Sequence, residues 1–196
     1  MLLRALHRWL LRTIPVNDPW VRIECQVPLA RYGAGARRDF AWYFEGESRV
    51  VVSSVEEVCA WLKGCRYVRD TDLFFEADFW QHPCTFERLR QGDCEDHALW
   101  AWRKLVELGY AAEFVVGRSR EPDGPGRGHA WVHLEREGQR FLLDAAATAM
   151  PTATPTEILR PWEVARCEYL PEVSIDHRFR RFVYGGYARV RLRCAG

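Results

Sequence analysis

The chain has 196 residues, 48% of them apolar and including nine Trp, ten Phe and seven Tyr, which excludes disorder and supplies core enough for a single large domain. Net charge is +1 and the isoelectric point about 7.6, so a nucleic-acid surface is excluded as the main function. Seven cysteines, an odd number scattered among apolar neighbours, form no disulfide framework and read as reduced thiols in a cytoplasm.

Residues 2–14 read as an amphipathic helix, with Leu2, Leu3, Leu6, Trp9, Leu10 and Ile14 opposite Arg4, Arg8 and Arg12. Its apolar runs never exceed three residues, whereas a secretory leader needs about seven and a membrane span about 20. We read its apolar face as packed on its own domain rather than on a membrane. Pro15 ends it. Val21–Val27 alternates like a strand, Gly33–Ala36 is a loop, and Phe40–Phe44 and Arg49–Val52 are further strand candidates. Ser53 and Ser54 before Glu56 and Glu57 form a capping-box signature for a helix to about Lys63. Asp70 to Gln81 is aromatic and acidic, and Pro83 and Thr85 open a short helix before a turn at Gly92.

A longer helix follows, with Ala98, Leu99, Ala101, Trp102, Leu105 and Leu108 at helical spacing and Gly109 as its stop. Ala112–Val116 predicts a strand, and Arg118–Gly128, rich in Pro and Gly, a mobile loop and candidate lid. Gly128–Leu134 and Arg140–Ala146 alternate as a hairpin, Met150 to Thr156 lacks periodicity, and Cys167–Leu170 and Tyr187–Arg193 are late strands. The Arg178–Arg181 run reads as a solvated face with Phe179 and Phe182 inward. With no repeat and no second-domain boundary, residues 1–196 read as one α+β domain.

The chemistry concentrates at Gly92-Asp93-Cys94-Glu95-Asp96-His97-Ala98. Asp93 is a good N-cap and Asp96 completes a capping box, so Cys94 falls in the first helical turn. Unpaired N–H groups and the helix dipole there favour thiolate, predicting a lowered thiol pKa and a nucleophile. Such a thiol needs a base, and the base an orienting acceptor. A turn centred between Arg136 and Glu137 sets His129 directly opposite Asp144, with Cβ atoms about 4.5–5.5 Å apart. A three-residue loop ending at Gly138 would instead turn Asp144 to the other face.

Gly92–Asp96, Gly128-His129-Ala130-Trp131-Val132 and Leu142-Leu143-Asp144, in that order, resemble the transglutaminase-like cysteine peptidase superfamily. Upstream, Phe79-Trp80-Gln81-His82-Pro83-Cys84-Thr85-Phe86-Glu87 resembles the segment preceding the cysteine in bacterial members. The likeness spans residues 54–146. It implies a papain-like core, with a catalytic helix packed on an antiparallel sheet. It also implies Cys94 as nucleophile, His129 as general base and acid, and Asp144 as the residue orienting His129. The oxyanion would lie on the Cys94 backbone N–H and a second donor from Trp80 or Gln81, between which the sequence does not choose. The implied activity is thiol-dependent amide acyl hydrolysis or transfer on a protein or peptide substrate, most simply that of a cysteine peptidase. Deamidation and crosslinking belong to the same chemistry, and a binding or scaffold module keeping the core without turnover is the alternative.

Some relatives bind calcium through acids flanking the cysteine, where this chain has Asp93 and Glu95. Two carboxylates make a poor Ca²⁺ site, which takes about six to eight oxygens, so no metal or other cofactor is expected. His82, Cys84, Cys94 and His97 have zinc-type chemistry, but His82 and Cys84 straddle a proline at an unusual spacing. His97 and Cys84 depart from the family pattern without touching the triad. Trp100, Trp102 and Trp131 read as core, with Trp131 also able to line a groove, and His133 as a neighbour of His129 on the same face.

Overall fold

The structure, a computed structural model, describes residues 18–33, 35–121, 124–146 and 157–185. The expected helix at 2–14, the segment 150–156, the strand at 187–193 and Cys194 lie outside them. In chain order the elements are β1 (Arg22–Glu24), α1 (Val55–Lys63), β2 (Arg66–Tyr67), α2 (Asp70–Leu73), α3 (Pro83–Leu89) and β3 (Gln91–Gly92). Next come α4 (Cys94–Glu107), β4 (Ala111–Glu121), β5 (Gly124–Arg136), β6 (Gln139–Leu143), β7 (Leu159–Pro161), α5 (Trp162–Ala165), β8 (Tyr169–Asp176) and β9 (Arg181–Tyr184). Among the described residues, seven strands form one sheet in the order β1-β9-β8-β4-β5-β6-β7, every neighbouring pair antiparallel. β2 and β3 make a separate parallel pair.

Helix α4 packs on β4 and β5 and is buried nearly all round, which is why its sequence is apolar beyond a single stripe. Leu99, Trp100, Ala101, Trp102 and Leu105 are fully inaccessible, and Trp100 stacks on Trp61 of α1 at 3.9 Å between ring centroids. Phe114, Val132 and Leu134 of the sheet complete this core, while Val115, Trp131 and Leu142 on the opposite face pack with Tyr169 and Ala165. The α+β class read from the sequence is therefore the observed one, a long helix on an antiparallel sheet.

Two expected strands are absent, for one reason. Arg103 and Lys104 lie on α4 yet are buried, so their charged heads need acceptors. Arg103 donates to the carbonyls of Tyr43, Glu45 and Gly46 at 3.3, 2.9 and 2.6 Å, and Lys104 to that of Val50 at 2.7 Å. These bonds turn the segment's carbonyls toward the helix instead of toward a neighbouring strand. Phe40–Phe44 accordingly forms a 3-10 turn capped by Asp39, with Phe40 and Tyr43 inward, and 49–52 is irregular.

The capping boxes fold as read. Ser54 accepts the Glu57 N–H at 3.2 Å while Glu57 accepts that of Ser53 at 2.8 Å. The expected mobile loop at 118–128 is instead an extension of the β4–β5 hairpin, with Arg118 opposite Gly128, Ser119 opposite Arg127 and Glu121 opposite Gly124. The glycines serve the ladder rather than a lid: Gly126 has φ +74°, and a Cβ there would strike the Ser119 carbonyl. Phe182 is buried as expected, while Phe179 is 38% exposed against Phe44 and Trp102.

The β5–β6 turn also differs from its reading. Its two loop residues are Glu137 and Gly138, both at positive φ (54° and 74°), and Arg136 faces Gln139. This is a type I′ geometry, in which Asn or Asp normally precedes the Gly, so Glu137 gives no sequence signal. Moving the turn centre by one residue slides the pairing by two. Position 144 therefore extends a register opposite Trp131, and His129 becomes a diagonal neighbour on the same face.

Glu137 in the left-handed region predicts a stabilising substitution. Glu137→Asn should raise stability by about 1 kcal/mol in chemical denaturation. A loss of stability would show that the turn is centred elsewhere.

Candidate active site

Gly92 sets the entry to α4. A side chain there would collide with the Asp96 carboxylate and the Gln81 amide, so only glycine lets the chain pass between them. Asp96, 1% exposed, accepts the backbone N–H of Gln81 at 2.8 Å and that of Asp93 at 3.3 Å, and also the Gln81 side-chain amide. That amide reaches the Gln91 carbonyl at 2.9 Å as well. The Gln81 segment and the Gln91–Asp93 turn are thereby fastened to the first turn of the helix, which fixes where Cys94 emerges.

Cys94 is half-buried on the wall of a cleft of about 1060 Å³, together with His129, Trp80, Asp70, Asp93 and Glu95. Of the two oxyanion candidates, Trp80 lines this cleft, with its indole N–H on Asp78 at 2.7 Å. Gln81 does not line it, because its backbone and side-chain donors are both committed to Asp96.

His129 and Asp144 come together. The imidazole Nε2 lies 2.7 Å from Asp144 Oδ2, both side chains being buried. Asp144 also accepts the Ala146 N–H at 3.0 Å and the Tyr169 hydroxyl at 2.7 Å, so it is an ionised acceptor and Nε2 carries the proton. Nδ1 is left as the basic nitrogen. Burial disfavours a charged imidazole, but the charge and hydrogen bond of Asp144, assisted by Asp93, outweigh it and raise the His129 pKa above 6.5.

The thiol corrects the expectation of an activated thiolate. Its pKa is pushed well above the ordinary value of 9.0 by burial, then by the charges of Glu95 and Asp93 and a hydrogen bond to Glu95, with only the Ala130 N–H working the other way. The Glu95 carboxylate accepts the Cys94 S–H at 3.2 Å. A helix N-terminus lowers a thiol pKa only where its positive end is free, and here Asp93, Glu95 and Asp96 already surround it.

Those acids belong to a larger group. Asp70, from α2, and Asp78 join Glu95, and Asp70 also joins Asp93 and Asp96, with candidate ligand atoms within 4.8 Å of one another in each trio. Burial and the neighbouring Asp93 and Asp78 lift Asp70 to about 6; burial lifts Asp93; burial and Asp93 lift Glu95 well above its ordinary value. Asp70 Oδ1 and Asp93 Oδ1 are buried without a hydrogen-bond partner. In the sequence only Asp93 and Glu95 stand beside the cysteine. The acidic stretch from Asp70 was visible, but nothing in its spacing said that it folds back over the cysteine.

The zinc-type set does not converge. His82 caps α3, accepting the Cys84 N–H at 3.1 Å and bonding the Trp42 carbonyl at 3.0 Å, while His97 bonds the Asp93 carbonyl at 2.7 Å. Among the described residues, the trios able to hold a cation are built from carboxylates and Cys94 alone. His133 accepts the Trp131 indole N–H at 2.9 Å and does not line the cleft.

No family model and no curated protein sequence matches the chain. Among solved structures it is similar to Legionella pneumophila LapG, at 19% identity over 62% of this chain and 62% of that chain, with a TM-score of 0.44. Calcium-bound LapG gives 20% identity, 73% and 76% coverage and a TM-score of 0.46. A proposed cysteine protease from Cytophaga hutchinsonii gives 15% identity over 68% of this chain and 38% of that one, with a TM-score of 0.42. The chain thus spans about three-fifths of LapG in the first comparison.

The pair His129–Asp144 makes a pH prediction. His129 titrates higher folded than unfolded, so the pair's stabilising effect is complete below pH 6.5 and fades as pH rises through the folded value. The stability difference between wild type and Asp144→Asn should shrink accordingly toward alkaline pH, and by NMR His129 should titrate above 6.5 in wild type and below it in the variant. A His129 that titrates identically in both would contradict the assignment.

Proposed function

We propose that this chain is a thiol-dependent amide acyl hydrolase or transferase of the transglutaminase-like kind, acting as a cysteine peptidase on protein or peptide substrates. The observation that carries the reading is the His129 Nε2–Asp144 bond at 2.7 Å, which leaves Nδ1 as the base in a cleft shared with Cys94. Nδ1 removes the Cys94 proton as sulfur attacks the amide carbonyl. The tetrahedral oxyanion lies on the backbone N–H groups of Cys94 and Trp80, Gln81 being engaged elsewhere. Collapse expels the amine, protonated by His129, and leaves a thioester on Cys94. Water, activated by the same imidazole, releases the acid; an amine in its place gives transamidation.

The raised thiol pKa favours a second component, a divalent cation of the calcium type. Asp70, Asp78, Asp93 and Glu95 would hold it, and the partnerless Asp70 and Asp93 oxygens are the observation that fits. When bound, such an ion neutralises the carboxylates that otherwise hold Cys94 protonated. LapG has been solved with calcium bound. The converging trios bring more carboxylates toward one place than the Asp93 and Glu95 read from the sequence.

Two outcomes are expected. Cys94→Ala should abolish hydrolysis in a peptide-library screen, and full activity in that variant would sink the enzyme reading. Calcium at a hundred times its Kd should stabilise wild type by about 2.7 kcal/mol in thermal unfolding and speed iodoacetamide alkylation of Cys94. Asp70→Asn should lose both effects. No shift in wild type, or an equal shift in Asp70→Asn, would contradict the cation site.

A further inference from the structure

Beyond the expected trio, the sheet delivers a fourth polar side chain to the buried end of the site. Tyr169, the first residue of β8, is 3% exposed and has its ring against Trp131 (4.9 Å between centroids) and nearly parallel to His129 (6.1 Å, 22°). Its hydroxyl lies 2.7 Å from Asp144 Oδ2, the same oxygen that receives His129 Nε2. On its other side, Arg160 of β7 donates to that hydroxyl at 2.9 Å, while Glu168 grips the guanidinium through both carboxylate oxygens at 2.9 and 2.8 Å.

A guanidinium can only donate, so the tyrosine oxygen is the acceptor toward Arg160 and its single proton has one place to go. It points at Asp144. The direction of every hydrogen bond in the chain Arg160–Tyr169–Asp144–His129 is thereby dictated by a permanent donor, Arg160, and an acceptor carboxylate, Asp144.

We propose that Tyr169, clamped by Arg160, is a positioning residue of the active site, holding Asp144 Oδ2 where it keeps His129 in the Nε2–H form with Nδ1 turned to the cleft. This rests on the reading of Cys94 and His129 as the reacting pair. Without the hydroxyl, Asp144 Oδ2 loses one of the donors that fix it, and the imidazole bonded to the same oxygen loses its fixed orientation. The charged groups acting on His129 are Asp144 at the end of β6 and Asp93 at the start of α4, and the rings of Tyr169 from β8 and Trp131 from β5 lie beside it; Cys94 lines the same cleft, His97 of α4 senses Asp144, and Arg160 bonds Tyr169. Neither Arg160 nor Tyr169 falls in the stretch 54–146 that carries the family resemblance.

The test uses the full chain with p-nitrophenyl acetate as acyl donor and ¹⁵N NMR of the His129 ring. Wild type should turn over the ester in a Cys94-dependent way and show a single Nε2–H tautomer. Tyr169→Phe should keep its folded spectrum, mix the tautomers, and lower turnover by about 10–100-fold, the range expected when an orienting partner is lost. If wild type and Cys94→Ala turn over equally, the enzyme reading itself fails. If wild type depends on Cys94 but Tyr169→Phe matches it in tautomer and turnover, the positioning role is overturned. Should Tyr169→Phe not fold, Arg160→Gln leaves the hydroxyl but frees its proton to rotate; tautomer mixing is then expected, and a wild-type His129 spectrum overturns the proposal.

Discussion

One buried carboxylate, Asp144, constrains the rest of the site. It is 3% exposed and must stay ionised to accept from His129, Tyr169 and the Ala146 backbone, and each of those donors comes from a different stretch of chain. An unpaired charge in that position would be costly by several kcal/mol, so the hairpin register, the Ile158 carbonyl bonded to the Asp144 N–H and the start of β8 all have to arrive together. The fold is built to keep this group charged and held.

The helix N-terminus opposite obeys the reverse logic. Acids there are in excess, not in balance: Asp93 and Glu95 flank the thiol, Asp96 ties down Gln81 and Gly92, and Asp70 and Asp78 close over them. Like charges this close raise one another's pKa and suppress thiolate. Burial and these charges hold the Cys94 thiol well above its ordinary pKa.

Much of this was legible in the sequence where local chemistry decides structure. The Ser54 and Asp93 caps, the long buried helix and the alternation of β5 and β6 need only neighbours within a few residues. The thiol pKa was not legible, because it depends first on how deeply the fold buries Cys94 and only then on the charges of the flanking Glu95 and Asp93. Phe40–Phe44 forms a 3-10 turn rather than a strand, with its Tyr43 carbonyl and those of Glu45 and Gly46 just beyond it bonded to Arg103, some sixty residues away. The turn at Glu137–Gly138 was misplaced by one residue, yet the period-two geometry of strands kept His129 and Asp144 on one face. Tyr169 carried no motif, since its place depends on β8 pairing with β4.

The central claim is that His129, oriented by Asp144, makes Cys94 the one thiol that accepts an acyl group. Peptide mapping by mass spectrometry after a brief exposure to p-nitrophenyl acetate measures this directly across all cysteines. The account predicts an acetyl thioester confined to Cys94 in wild type and lost in His129→Ala. Acetylation spread over exposed Cys167 and the others, or unchanged at Cys94 without His129, would contradict it.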